Sequence, residues 1–158
     1  MSRIRAGICA VVASIGLALV LIALPQHASS RVPQSAGSEP TPAFHTDVPK
    51  GAMPATLDPA QFDNVVVQNA YTAAARVKRV LYQQPCYCHC DRSQGHGSLL
   101  DCYTGKHAAE CGVCIREALY SYEQTKKGKT PAQIREGIQK GEWKQIDAAK
   151  YQTYPVKP

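Results

Sequence analysis

The chain has 158 residues, 44% hydrophobic and 19% charged, with a net charge of +6. That length allows one small domain plus a targeting segment and a tail; it excludes a multidomain enzyme or a large α/β fold. Setting Arg3 and Arg5 aside leaves 16 basic against 12 acidic residues and no basic run, so no nucleic-acid partner is expected.

Residues 1–30 read as an export signal or an N-terminal membrane anchor. Arg3 and Arg5 precede an uncharged run from Ala6 to Leu24. Pro25 breaks that run, and the small residues Ala28, Ser29 and Ser30 follow. The run is also close to the ~20 residues that span a bilayer, so anchoring through residues 4–24 is the alternative to cleavage. Cys9 lies early in the run and reads as a small apolar residue. Both alternatives place the other six cysteines outside the cytoplasm, where disulfides persist.

Residues 31–57 are rich in Pro, Ser, Ala and Thr and read as a disordered, flexible linker, with His45 solvated. Asp58-Pro59 opens a helix expected to run to about Tyr82, carrying Phe62, Val65, Val66, Ala70, Ala73, Val77, Val80 and Leu81 at helical spacing. Pro85 stops it, because the residue before proline is pushed out of the α region. A cysteine- and glycine-dense segment follows, with Ser98 capping a short turn that Gly105 ends. The next helix starts near Ala109 or Glu110 and ends at Gly128, with Cys111, Cys114, Ile115, Ala118, Leu119 and Tyr122 on one face. Thr130-Pro131-Ala132-Gln133 carries an N-cap, a proline at the first helical position and a capping-box Gln. Residues 148–158 read as a flexible tail. The fold expected is therefore all-α: a small helical domain over 58–147, cross-linked by a cysteine cluster. A thin apolar stripe with one Trp makes such a cross-link valuable.

Six of the seven cysteines fall between Cys86 and Cys114. Cys86, Cys88 and Cys90 form a Cys-x-Cys-x-Cys run; if extended, its sulfurs would share a side. A disulfide within such a pair is strained. Each therefore pairs elsewhere, binds a metal or stays reduced. Cys111 and Cys114 are spaced i, i+3 at a helix start, where the helix N-terminus is expected to lower both thiol pKa values. Cys102, His96 and His107 lie between the two groups.

Three chemistries fit this constellation. Six exported cysteines can form three staples, joining Cys86, Cys88 and Cys90 to Cys102, Cys111 and Cys114. Thiolates can bind a soft metal, with or without His89, His96 or His107. Cys111 and Cys114 can act as a redox dithiol, with Cys111 attacking. No Ser-His-Asp arrangement, phosphate loop or catalytic carboxylate pair is apparent.

From Leu81 to Ile138 the chain resembles the bacterial PCYCGC-motif (CYCXC) proteins. The resemblance rests on PCYCHC (Pro85 to Cys90), GHGSLLDCY (Gly95 to Tyr103), CGVCIREAL (Cys111 to Leu119) and KKGKTPAQIREGI (Lys126 to Ile138). The departure is His89, where the motif has Gly. The resemblance implies an exported or lipid-anchored protein of no assigned biochemical function. Some members look like selenoproteins, which implies redox chemistry or soft-metal ligation at the first cluster. This chain has cysteine throughout and no lipobox. The reading adopted is zinc or copper binding through Cys86, Cys88, Cys90, Cys111 and Cys114, with Cys102, His89 and His96 as additional ligands. No catalytic residue is assigned.

Overall fold

The computed structural model describes residues 39–157, so the expected signal or anchor at 1–30 lies outside the described residues. Within that range the chain is helical and contains no strand, in agreement with the all-α expectation. Among the described residues no helix is long and apolar enough to cross a membrane.

The expected first helix is three pieces. Asp58 caps a 3-10 turn, Pro59–Gln61, by accepting from the Ala60 amide. The α-helix proper, α1 (Val65–Arg76), is capped by Asn64, whose side chain accepts from the amides of Val66 and Val67. Val77, at φ −116° and ψ 31°, separates α1 from α2 (Lys78–Leu81). Two single-turn helices follow, α3 (Cys90–Ser93) and α4 (Asp101–Thr104). The long helix α5 (Gly112–Lys126) comes next, then α6 (Pro131–Gln139) behind the expected Thr130/Gln133 capping box.

Helices α1 and α5 form the central pair. Small side chains at the crossing allow close approach: Ala70, Ala73, Ala74 and Ala118 are fully buried. Around them pack Tyr71, Leu81, Leu99, Leu100, Tyr103 and Leu119, with the Tyr71 and Tyr103 rings edge-on at 4.9 Å. A second cluster of Tyr120, Ile134, Ile138 and Trp143 fixes α6 to the other side of α5. Helix α5 is thus buried on more than the single face expected, because both clusters need it.

Two segments depart from the sequence reading. The described part of the linker, residues 39–57, has no regular helix but lies along the domain. Pro42 and Pro49 are buried, and the His45 ring stacks on Tyr82 at 3.9 Å where a solvated side chain was expected. Arg79 donates to the carbonyls of Pro49 and Gly51, and the Leu57 amide donates to Tyr103. A proline-rich segment loses little entropy on ordering, so a few contacts hold it. The described part of the tail is also docked. Tyr151 and Val156 are buried, and Asn69 clasps the chain there by donating to the Tyr151 carbonyl and accepting from the Val156 amide.

Candidate metal centre

Four short segments converge at one end of the α1–α5 pair. Pro85 is fully buried and ends the helical run. The buried Gln84 side chain donates through its amide nitrogen to the carbonyls of Val80 and Pro131, and the Gln84 main-chain carbonyl accepts from the Leu99 amide. This ties the start of the cysteine run to α6 and to the 95–100 loop.

The Cys-x-Cys-x-Cys run is not extended. It folds into a turn in which the His89 amide donates to the Cys86 carbonyl, and α3 starts at Cys90. The turn still gathers Cys86, Cys88 and Cys90 into one group with sulfurs within 4.8 Å of one another. His89 sits at φ 57°, the one non-glycine residue in the left-handed region among the described residues. That backbone demands little of glycine and costs other residues about 1 kcal/mol or more. The glycine of the name-giving motif is thus explained by conformation. The His89 ring turns away from the sulfurs, its Nε2 lying 3.3 Å from Glu39. It belongs to none of the metal-competent groups, unlike the other residues of the expected ligand set.

The remaining donors arrive on three elements and one loop. Cys102 lies in α4, where Asp101 fixes the preceding turn by accepting from the amides of Gly97 and Ser98. Cys111 is the N-cap of α5 and Cys114 lies in its first turn. His107, which was outside the expected ligand set, opens a 3-10 turn and brings Nε2 to 3.5 Å from the Cys88 sulfur. His96 brings Nδ1 to 3.4 Å from the Cys102 sulfur.

The distances decide what these contacts are. Cys86 and Cys88 sulfurs are 3.3 Å apart, Cys90 and Cys102 3.3 Å, Cys86 and Cys114 3.5 Å, and Cys88 and Cys114 3.6 Å. A disulfide is about 2.05 Å long, so all six described cysteines are free thiols. Sulfurs on a tetrahedral ion with bonds of about 2.3 Å are separated by ~3.8 Å, somewhat wider than the 3.3–3.6 Å observed, and the Cys88–Cys114 pair comes nearest to it. Cys88, His107, Cys111 and Cys114 offer four donor atoms within 4.8 Å of one another; so do Cys90, His96, Cys102 and His107. Cys86 joins the two, grouping with Cys102 and Cys114 on one side and with Cys88 and Cys90 on the other.

Burial is uneven. Cys86, Cys90, Cys102 and Cys114 are buried, whereas Cys88, Cys111, His96 and His107 are half-buried and form the side open to solvent. Contacts between the thiols split their acidities. Hydrogen bonding with Cys102 is the largest influence on Cys86, Cys88, Cys90 and Cys114; it pulls the Cys88 thiol down and pushes the other three up. Cys102 itself is pulled down to about 4, first by Cys114. The expectation that the helix N-terminus lowers Cys111 and Cys114 does not hold. Cys114 is raised, chiefly through Cys102. At Cys111 the lowering contact with Cys114 is outweighed by Cys88 and by burial.

One carboxylate borders the cluster and was missed from sequence. Glu117 is fully buried one turn beyond Cys114. Its Oε1 accepts from the Tyr87 amide at 2.9 Å and its Oε2 has no partner. Burial pushes its carboxyl up to about 8, against the lowering influence of Tyr87 and Cys86. The available signal was its place three residues after Cys114, on the face turned to the core.

A family model described as "Protein of unknown function with PCYCGC motif" matches residues 19–154. No curated protein and no solved structure matches the chain.

Proposed function

The chain belongs to the family of proteins with a PCYCGC motif, and we propose that its cysteine–histidine cluster binds a soft or borderline metal ion, Zn(II) or Cu(I), outside the cytoplasm. The observation that carries the reading is the set Cys88, His107, Cys111 and Cys114, four donors from three segments within 4.8 Å of one another. Three thiolates and one imidazole suit zinc, and thiolates equally favour Cu(I) over oxygen-seeking cations. Buried cysteine alone is often mere packing. Packing gives no reason for two imidazoles to enter a cluster of six sulfurs, each with one ring nitrogen 3.4–3.5 Å from a sulfur. An ion held there would fasten the start of α5 to the 86–90 turn, so metal affinity would add to folding stability. The placement outside the cytoplasm rests on the reading of residues 1–30, and association with a membrane would run through residues 4–24.

One observation favours a second reading. The six sulfurs can be taken up in three pairs with none left over: Cys90 with Cys102, Cys86 with Cys114, and Cys88 with Cys111, the last two linked by the Cys86–Cys88 and Cys88–Cys114 contacts. Thiol exchange with a disulfide oxidant of the compartment would close each pair, the oxidant taking two electrons and two protons per bridge.

Native mass spectrometry of the full chain, purified anaerobically in detergent and offered Zn(II) or Cu(I), separates the two readings. The metal reading predicts a fully reduced chain carrying stoichiometric metal. A metal-free chain lighter by about 6 Da, with three disulfides, would overturn it in favour of the second reading.

A further inference from the structure

The eight donors exceed what one tetrahedral ion uses. Each donor can serve one ion through one atom, and four donors complete a zinc shell. Assigning Cys88, His107, Cys111 and Cys114 to one ion leaves Cys86, Cys90, Cys102 and His96. Of these, Cys90, His96 and Cys102 are mutual neighbours, and Cys86 adjoins Cys90 and Cys102. Cys90 and Cys102 sulfurs are 3.3 Å apart, His96 Nδ1 is 3.4 Å from Cys102, and Cys86 lies within 4.8 Å of both Cys90 and Cys102. The remainder has the same composition as the first set, three sulfurs and one imidazole. The two sets touch through Cys86, 3.3 Å from Cys88 and 3.5 Å from Cys114.

We propose that the cluster is a pair of adjoining metal sites, with Cys86, Cys90, Cys102 and His96 holding a second thiophilic ion beside the first. This rests on the metal-binding reading above and adds stoichiometry and ligand assignment to it. The arrangement accounts for the Gly95-His96-Gly97 loop. Gly95 is left-handed at φ 69°, which lets the loop fold back so that His96 meets Cys102. The two sites differ in access. Cys86, Cys90 and Cys102 are buried and only His96 is half-buried, whereas the first set has a single buried member, Cys114. The second ion therefore exchanges more slowly than the first.

The test counts ions. The full reduced chain is titrated anaerobically with Zn(II) and then with Co(II), and native mass spectra and the Co(II) d–d absorption are recorded. The expected result is two ions per wild-type chain, one in Cys90→Ser/His96→Ala, and one in Cys111→Ser/His107→Ala. Should Cys90→Ser fail to fold, His96→Ala alone is expected to weaken the second equivalent at least 10-fold and to leave the first within 3-fold. One ion in the wild type, whatever the variants hold, overturns the pair and leaves the metal-binding reading standing. No ion in the reduced wild type overturns both.

Discussion

The Cys88 sulfur lies 3.5 Å from Nε2 of His107, a residue 19 positions further along the chain and on a different element. The contact exists because the 86–90 turn and the 105–111 segment both abut the start of α5. It makes His107, and not the sequence-adjacent His89, the imidazole partner of Cys88.

The two histidines can therefore be told apart by substitution. His107→Ala would remove one of the proposed donors and is expected to weaken binding of the first zinc at least ~100-fold, beyond the usual effect of losing a residue that merely orients a ligand. His89→Ala is expected to leave affinity within about 3-fold. A competition titration with a chromophoric chelator reads both. Equal effects, or the reverse order, would contradict the assignment.

The turn itself predicts a backbone effect. At φ 57°, His89→Gly relieves strain while freeing the unfolded chain, so unfolding free energy should change by less than about 1 kcal/mol and metal should be retained. His89→Val places a β-branched residue in the left-handed region and should cost about 1–2 kcal/mol. Urea unfolding of the metal-loaded variants measures both.

Gly137 predicts the opposite of its helix propensity. Alanine in an exposed helix interior gains about 1 kcal/mol over glycine. Here a Cβ would collide with the hydroxyl of the buried Tyr120 and lie 2.8 Å from the Glu142 carboxylate. Gly137→Ala is therefore expected to destabilise the domain by about 1–3 kcal/mol, seen as a lower urea midpoint. A raised midpoint would mean that α6 does not sit against Tyr120.

Acidity gives a further check. The Glu117 carboxyl is raised from 4.5 to about 8 by burial. Folding then takes up a proton between those values. The stabilisation is complete below the unfolded pKa and is lost as pH rises toward 8. For metal-free, reduced protein, this one group makes stability fall with pH by roughly 1.4 kcal/mol per unit inside that window. Glu117→Gln should flatten the slope between pH 5 and 8 relative to wild type. Metal binding runs the other way, since protons compete with the ion for thiolates at acid pH.

The helical class, the break at Pro85, the capping box at Thr130 and the gathering of the cysteines were legible from sequence, because each is a local pattern. Other features depend on partners distant in the chain. The docking of residues 39–57 depends on the carbonyls that Arg79 reaches, and the docking of the tail depends on Asn69; neither partner carries a mark of its role. His107 was visible as a donor type, but its approach to Cys88 is set by packing and not by spacing. Glu117 was hidden for the same reason: a glutamate in a helix reads as solvent-facing until the helix proves buried on several sides. His89 misled because its residue type suggests ligation, while its position is governed by a left-handed turn.

The most direct test of the metal centre is X-ray absorption at the zinc edge of the reduced, zinc-loaded full chain. The expected result is an average shell of three sulfurs at about 2.3 Å and one nitrogen at about 2.0 Å. A first shell of oxygen and nitrogen alone would place the metal elsewhere and contradict it.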